Sequence, residues 1–189
     1  MKRSLLGAAL ALAGLACGQE FSLGSKVGGF SLQDVKGNAV GYAALKGDVT
    51  VLVFVATQCP ISNDYNERMN ALFKEYSGRG VKFIFVNANS TEPAAEVDAH
   101  AKKNFAFAVY KDAGNAVADR FGAQVTPEAF VMDKDGVIRY HGYIDDSRNA
   151  QRITRRGLRD ALDAVLEGRP VAAAQTKAFG CTIKRAKKS

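Results

Sequence analysis

With 189 residues, 47% of them hydrophobic, the chain has material for one well-filled core, and one globular domain with added arms is expected. Its formal charge is +7, but the excess is local: Lys2 and Arg3 at the start, and Lys184, Arg185, Lys187 and Lys188 at the end. No basic stripe interleaved with aromatics and no base-reading motif accompanies these charges, so nucleic acid is excluded as an expected partner.

Residues 1–18, MKRSLLGAALALAGLACG, combine a charged start with an apolar run over 5–16. The run is short of the roughly 20 residues that a permanent membrane helix needs, and it fits an export signal cleaved near Gln19. Cys17 offers another outcome, lipidation, which is the one route by which the chain is expected to meet a membrane; Gly14 and Leu15 stand in the wrong order for a good lipidation motif. The expected organisation is a signal peptide at 1–18, a domain at 19–168 and an arm at 169–189, located in the periplasm or cell envelope. Export leaves Cys59 and Cys181 in a compartment that permits disulfides, and a bonded pair and two thiols are both open.

In chain order, FSLQDVKGNAV (30–40) predicts a β-hairpin about an Asp-x-x-Gly-Asn turn. VTVLVFVA (49–56), almost all β-branched or aromatic, predicts a strand covered on both faces. From Ser62 to Tyr76, the spacing of Tyr65, Met69, Leu72, Phe73 and Tyr76 predicts one helix, stopped by Gly78 and Gly80. A second buried strand is expected at 81–89, then a helix from Pro93 to Lys103 capped by Ser90 or Thr91. A strand at 107–112, a helix at 115–122, a hairpin on Asp133-Lys134-Asp135-Gly136 and a helix from Ile153 to Gly168 follow. Strands alternating with helices, closed by a hairpin and a helix, imply an α/β domain with a mixed central sheet flanked by helices.

Cys59 sits where a buried strand gives way to a helix. A helix's first turn carries unpaired N–H groups and the positive end of its dipole, and both favour thiolate over thiol. Pro60 suits a first helical position. Ser62 is expected either to donate to the thiolate or to cap the helix. Tyr65 is expected in the core and Arg68 in solvent. Asp145 and Asp146 are expected in a solvated turn rather than as a catalytic carboxylate pair. His100 and His141 lack metal-ligand spacing, and neither metal nor cofactor is expected.

FVATQCPIS (54–62) resembles the F-W-A-x-W-C-P-x-C motif of the thioredoxin-like superfamily, in particular exported TlpA/ResA-type thiol–disulfide proteins and the neighbouring redoxin (AhpC/TSA) group. VTPEAFVMDKDGVIRYHG (125–142) resembles the segment of that fold in which a cis-proline faces the active cysteine. The resemblance covers about 26–168 and implies a thioredoxin-like fold, a cis peptide at Pro127 and pairing of the Thr126 backbone with substrate. It also implies thiol–disulfide exchange or peroxide reduction at Cys59. Protein thiols or disulfides, or a peroxide, are the implied substrates, with a thiol protein as electron donor. The sequence departs from the pattern at three points: Ser62 replaces the second cysteine, Val53 the buried acid, and Ala56 the threonine of the peroxidases. Cys181, in FGCTIKR, is expected either to swing in as the resolving thiol or to staple the arm permanently. A non-catalytic binding module with a structural disulfide is the third reading.

Overall fold

The computed structural model describes residues 19–187, so the expected signal at 1–18, Cys17 included, lies outside the described residues. The expected hairpin is Ser31–Gln33 (β1) and Ala39–Gly41 (β2), closed by Asp34, whose carboxylate accepts from the amides of Lys36 and Asn38. After a helical turn at Tyr42–Leu45 (α1), the apolar run forms Val49–Phe54 (β3), buried throughout. A single turn of helix, Pro60–Asn63 (α2), and a longer helix, Asn66–Ser77 (α3), follow it.

The one helix expected over 62–76 is therefore two. Tyr65 N bonds back only three residues, to Ser62 O, and this tighter turn drops the Tyr65 ring into the core. Val81–Asn87 (β4), Ala94–Asn104 (α4), Val109–Lys111 (β5) and Ala116–Phe121 (α5) continue the alternation. The expected cap at Ser90 or Thr91 is not used: Pro93 occupies the N-cap of α4 with no side-chain bond, and Ser90 N turns to Lys184 O. Val125–Thr126 (β6) precedes the second hairpin, Glu128–Met132 (β7) and Ile138–Gly142 (β8). The last helix, Gly157–Leu166 (α6), starts later than Ile153 because Asp146 holds Thr154 N and keeps the preceding segment out of helical register. The final strand is Cys181–Thr182 (β9).

The main sheet runs β2-β1-β5-β4-β3-β7-β8, with β3, β4 and β5 parallel and the remaining pairings antiparallel. Successive β3 side chains point to opposite faces, and both faces are covered. Val51 and Val53 join Met69 and Leu72 of α3 and Leu158 and Leu162 of α6. Leu52 and Phe54 join Phe121, Phe130 and, from the arm, Ile183. The C-terminal ends of β3 and β4 thus open side by side, and β6 and β9 form a separate two-stranded sheet.

Candidate redox site

Beyond β3 the chain leaves the sheet and places Cys59 at the N-cap of α2, with Pro60 at the first helical position. The Cys59 sulfur accepts the backbone N–H of Ser62 at 3.2 Å and lies 3.5 Å from Thr126 O. Ser62 therefore serves the sulfur through its backbone. Its hydroxyl, expected to reach the thiolate or to cap the helix, instead accepts from Ala56 N at 3.1 Å and ties the end of the strand to the helix. The cap is Cys59 itself.

The Thr126–Pro127 peptide is cis, as the resemblance implied. The edge beside it is occupied, however: Thr126 pairs with Cys181 and Val125 with Thr182 in the antiparallel β6–β9 ladder. A strand of the chain's own arm lies where the resemblance implied substrate pairing. Cys181 is bonded to Cys59, with their Cα atoms 5.9 Å apart. Gly180 fits so tightly against this edge that any Cβ there would collide with Thr126 O. Cys59 is only 3% exposed, whereas Cys181 is half-buried.

The arm, for which the sequence leaves a swing and a permanent staple both open, is pinned along its length. Thr176 N donates to His141 O, and Phe179 meets the Tyr65 ring edge-on with centroids 6.4 Å apart. Past the disulfide, Ile183 is buried in the core, and Ala186 N donates to Asn115 Oδ1 at 2.7 Å. Arg185 pairs with Asp119 at 2.8 Å.

Two further expectations need correcting. Arg68 is not in solvent: it lies over the Tyr65 ring and reaches Asp145 at 2.7 Å. Asp145 is accordingly buried rather than in a solvated turn, because the ion pair and two carbonyls that also accept from Arg68, those of Ser147 and Arg148, close the loop over it. Tyr65 is buried as expected, and its hydroxyl donates to Asp145 O.

Sequence reasoning passed over two buried acids that flank the site, Glu128 and Glu92. Glu128, next to Pro127, accepts from Gln124 N and Val125 N and contacts His141 Nε2 at 2.5 Å, fixing the turn that presents Thr126. Glu92, 3% exposed, accepts from Thr57 N at 2.8 Å and Gln58 N at 3.1 Å, the two residues before Cys59. It also accepts from the side-chain amides of Asn87 and Asn89. Burial pushes the Glu92 carboxyl up, but its hydrogen bonds from Thr57, Asn87, Gln58 and Asn89 together outweigh burial and hold it below the ordinary carboxylate value. A signal for this cluster was present: Asn87, Asn89 and Glu92 break an apolar run where β4 ends, beside the end of the strand that leads to Cys59. Among the described residues, no group of three or more His, Cys, Asp and Glu side chains converges as metal ligands would.

The family model described as "AhpC/TSA family" matches residues 23–141, a span that includes Cys59, Thr126 and Pro127 and stops short of Cys181. The thiol-disulfide oxidoreductase ResA of Bacillus thuringiensis (strain Al Hakam) is 28% identical over 122 residues, covering 64% of this chain and 69% of that protein. A chloroplastic peroxiredoxin Q of Triticum aestivum is 31% identical over 136 residues, covering 67% of this chain and 61% of that protein. The solved structure of an uncharacterized conserved protein from Geobacillus kaustophilus superposes with a TM-score of 0.82 at 32% identity, covering 89% of this chain and 95% of that one.

Proposed function

Because the chain belongs to the AhpC/TSA family, we propose that it is a thiol–disulfide oxidoreductase whose redox pair is Cys59 and Cys181. One observation carries the reading: the two sulfurs are bonded at the mouth of α2, against the peptide edge at Thr126–Pro127. The Ser62 N–H that points at Cys59 Sγ stabilises negative charge there, whether the sulfur attacks or leaves.

In the reducing direction, the Cys59 thiolate attacks one sulfur of a substrate disulfide. A mixed disulfide forms and the first substrate thiolate leaves. Cys181, as thiolate, then attacks Cys59 Sγ, forming the Cys59–Cys181 bond and expelling the second substrate thiolate. The substrate gains two electrons and the pair loses them. With the pair reduced, Gly180 is no longer tied to Cys59 through its neighbour, and the Thr126 edge can accept an extended substrate segment. Return to the dithiol requires two electrons from an external dithiol. Its first thiolate meets half-buried Cys181 and Cys59 leaves as the stabilised thiolate; its second thiolate then attacks the mixed disulfide and releases Cys181. Pro60, Ser62, Thr126 and Pro127 shape the substrate side of this site. Protein thiols and disulfides are the substrate class, in keeping with the ResA relative. The export expected from residues 1–18 would place the reaction in the periplasm or cell envelope.

Two observations favour other readings. The peroxiredoxin Q relative fits peroxide reduction, in which Cys59 forms a sulfenic acid that condenses with Cys181; trapping that acid after peroxide treatment would separate the two enzymes. The pinned arm fits a permanent staple. A staple and a redox pair part in a single assay, reduction of a disulfide-linked peptide by the wild type, Cys59→Ser and Cys181→Ser. The redox reading expects turnover by the wild type, none by Cys59→Ser, and a trapped mixed disulfide on Cys59 in Cys181→Ser. A wild type that turns nothing over, with peptide or peroxide, refutes it.

A further inference from the structure

The Glu92 cluster touches the segments that carry both halves of the redox pair. The two oxygens of its carboxylate take the amides of Thr57 and Gln58 on the loop that delivers Cys59. The same oxygens take Asn87 Nδ2 at 2.5 Å and Asn89 Nδ2 at 2.9 Å. Because a carboxylate only accepts, both asparagines must turn their NH2 groups toward it, which sets where their carbonyl oxygens point. Asn89 Oδ1 then accepts Lys184 N at 2.7 Å, three residues past Cys181, and Ser90 N donates to Lys184 O at 2.9 Å. Asn87 Oδ1 accepts Lys111 Nζ at 2.7 Å, and the same ammonium donates to Asn89 O and Glu92 O, bracing the turn from behind.

Resting on the redox reading above, we propose that Glu92 is a positioning residue for the Cys59–Cys181 pair: one buried carboxylate fixes the Cys59 loop directly and the Cys181 strand through the orientation of the Asn89 amide. Reduction of the disulfide leaves this clamp intact, so when Cys181 parts from the Thr126 edge to admit substrate its anchor at Lys184 holds, and the thiol returns to Cys59 at high effective concentration. Glutamine at this position keeps the shape but turns an NH2 group toward donors. One loop amide loses its acceptor, and where the new NH2 group faces Asn89 that amide must also turn, so that Lys184 N loses its own. Glu92 touches neither sulfur, so its effect is on the geometry of the pair.

The test is the equilibrium of the disulfide against glutathione in the full chain, read by alkylation and mass, alongside the melting temperature of both redox forms. Glu92→Gln is expected to lower the equilibrium constant for disulfide formation about tenfold, the scale of one charged hydrogen bond. Asn89→Ala, which cuts only the branch to the arm, is expected to lower it about fivefold. A merely structural role would lower the melting temperature of both redox forms alike and leave the constant unchanged. If either variant folds and titrates within about twofold of the wild type, the clamp is refuted while the redox reading stands. A wild-type disulfide that neither glutathione nor dithiothreitol opens while the chain stays folded refutes the redox reading, and the clamp with it.

Discussion

Cys59 and Cys181 meet at one bond but are held in opposite ways. Cys59 is placed chiefly by what is near it in the chain, a strand buried along its length, a proline, and the N–H of Ser62 three residues on, with the more distant Glu92 bracing the loop before it. Cys181 stands on a two-residue strand, and apart from the bond itself its place depends on Thr126, Gln124, Asn89, Asn115 and Asp119, all more than fifty residues earlier. Local geometry makes the end proposed as reactive, and tertiary contacts bring the partner to it. Thiol chemistry at Cys59 should therefore outlast damage to the arm, whereas closure of the disulfide should not.

That contrast can be broken in graded steps. The largest effect is expected from Cys59→Ser, which removes exchange activity by several orders of magnitude; Cys181→Ser should retain the first attack and lose release of product, visible as an adduct by mass. Next comes Ile183→Ala. This side chain anchors the arm in the core beside Phe121 and Phe130, so its loss should cost about 2–4 kcal/mol in urea unfolding and reduce the disulfide-bonded fraction. Gly180→Ala should cost about 1–3 kcal/mol, because the new Cβ meets Thr126 O and either β9 or the Pro127 turn must move. It should hinder disulfide closure while leaving alkylation of the reduced Cys59 thiol unimpaired, and slower alkylation would show that the two neighbourhoods are not separable.

The smallest effect is one of pH. The folded-state value of Glu92 is depressed, so its contribution to stability is complete above the unfolded value near 4.5 and is lost as pH falls through the lower, folded one. Urea unfolding from neutral to acid pH should show a loss of stability below 4.5 that is smaller in Glu92→Gln.

The same contrast explains what could be read before any coordinates. The order of strands and helices followed from apolar periodicity and from turn residues such as Asp34 and Asp133, because neighbours in sequence decide those elements. Cys59 at a strand-to-helix junction was legible for the same reason, whereas the cis peptide before Pro127 was implied by the resemblance to a known family. Boundaries failed where a distant contact overrode the local pattern: Ser90 serves the arm instead of capping α4, and Asp146 delays α6 by holding Thr154. Arg68 and Asp145 are far apart in the chain, and no local rule pairs them. The path of the arm lay beyond reach because its residues have no periodicity of their own; Ile183 and Lys184 are placed by a core surface and a polar turn that exist only once the rest has folded.

The central claim, that Cys59 and Cys181 form a reversible redox pair, is tested most directly by alkylating the native chain under oxidising conditions, after mild dithiothreitol, and again after reoxidation. The account predicts that both cysteines are protected, then both labelled, then both protected, with the fold intact throughout. Two labelled cysteines before any reductant is added, or protection that yields only when the chain unfolds, would contradict it.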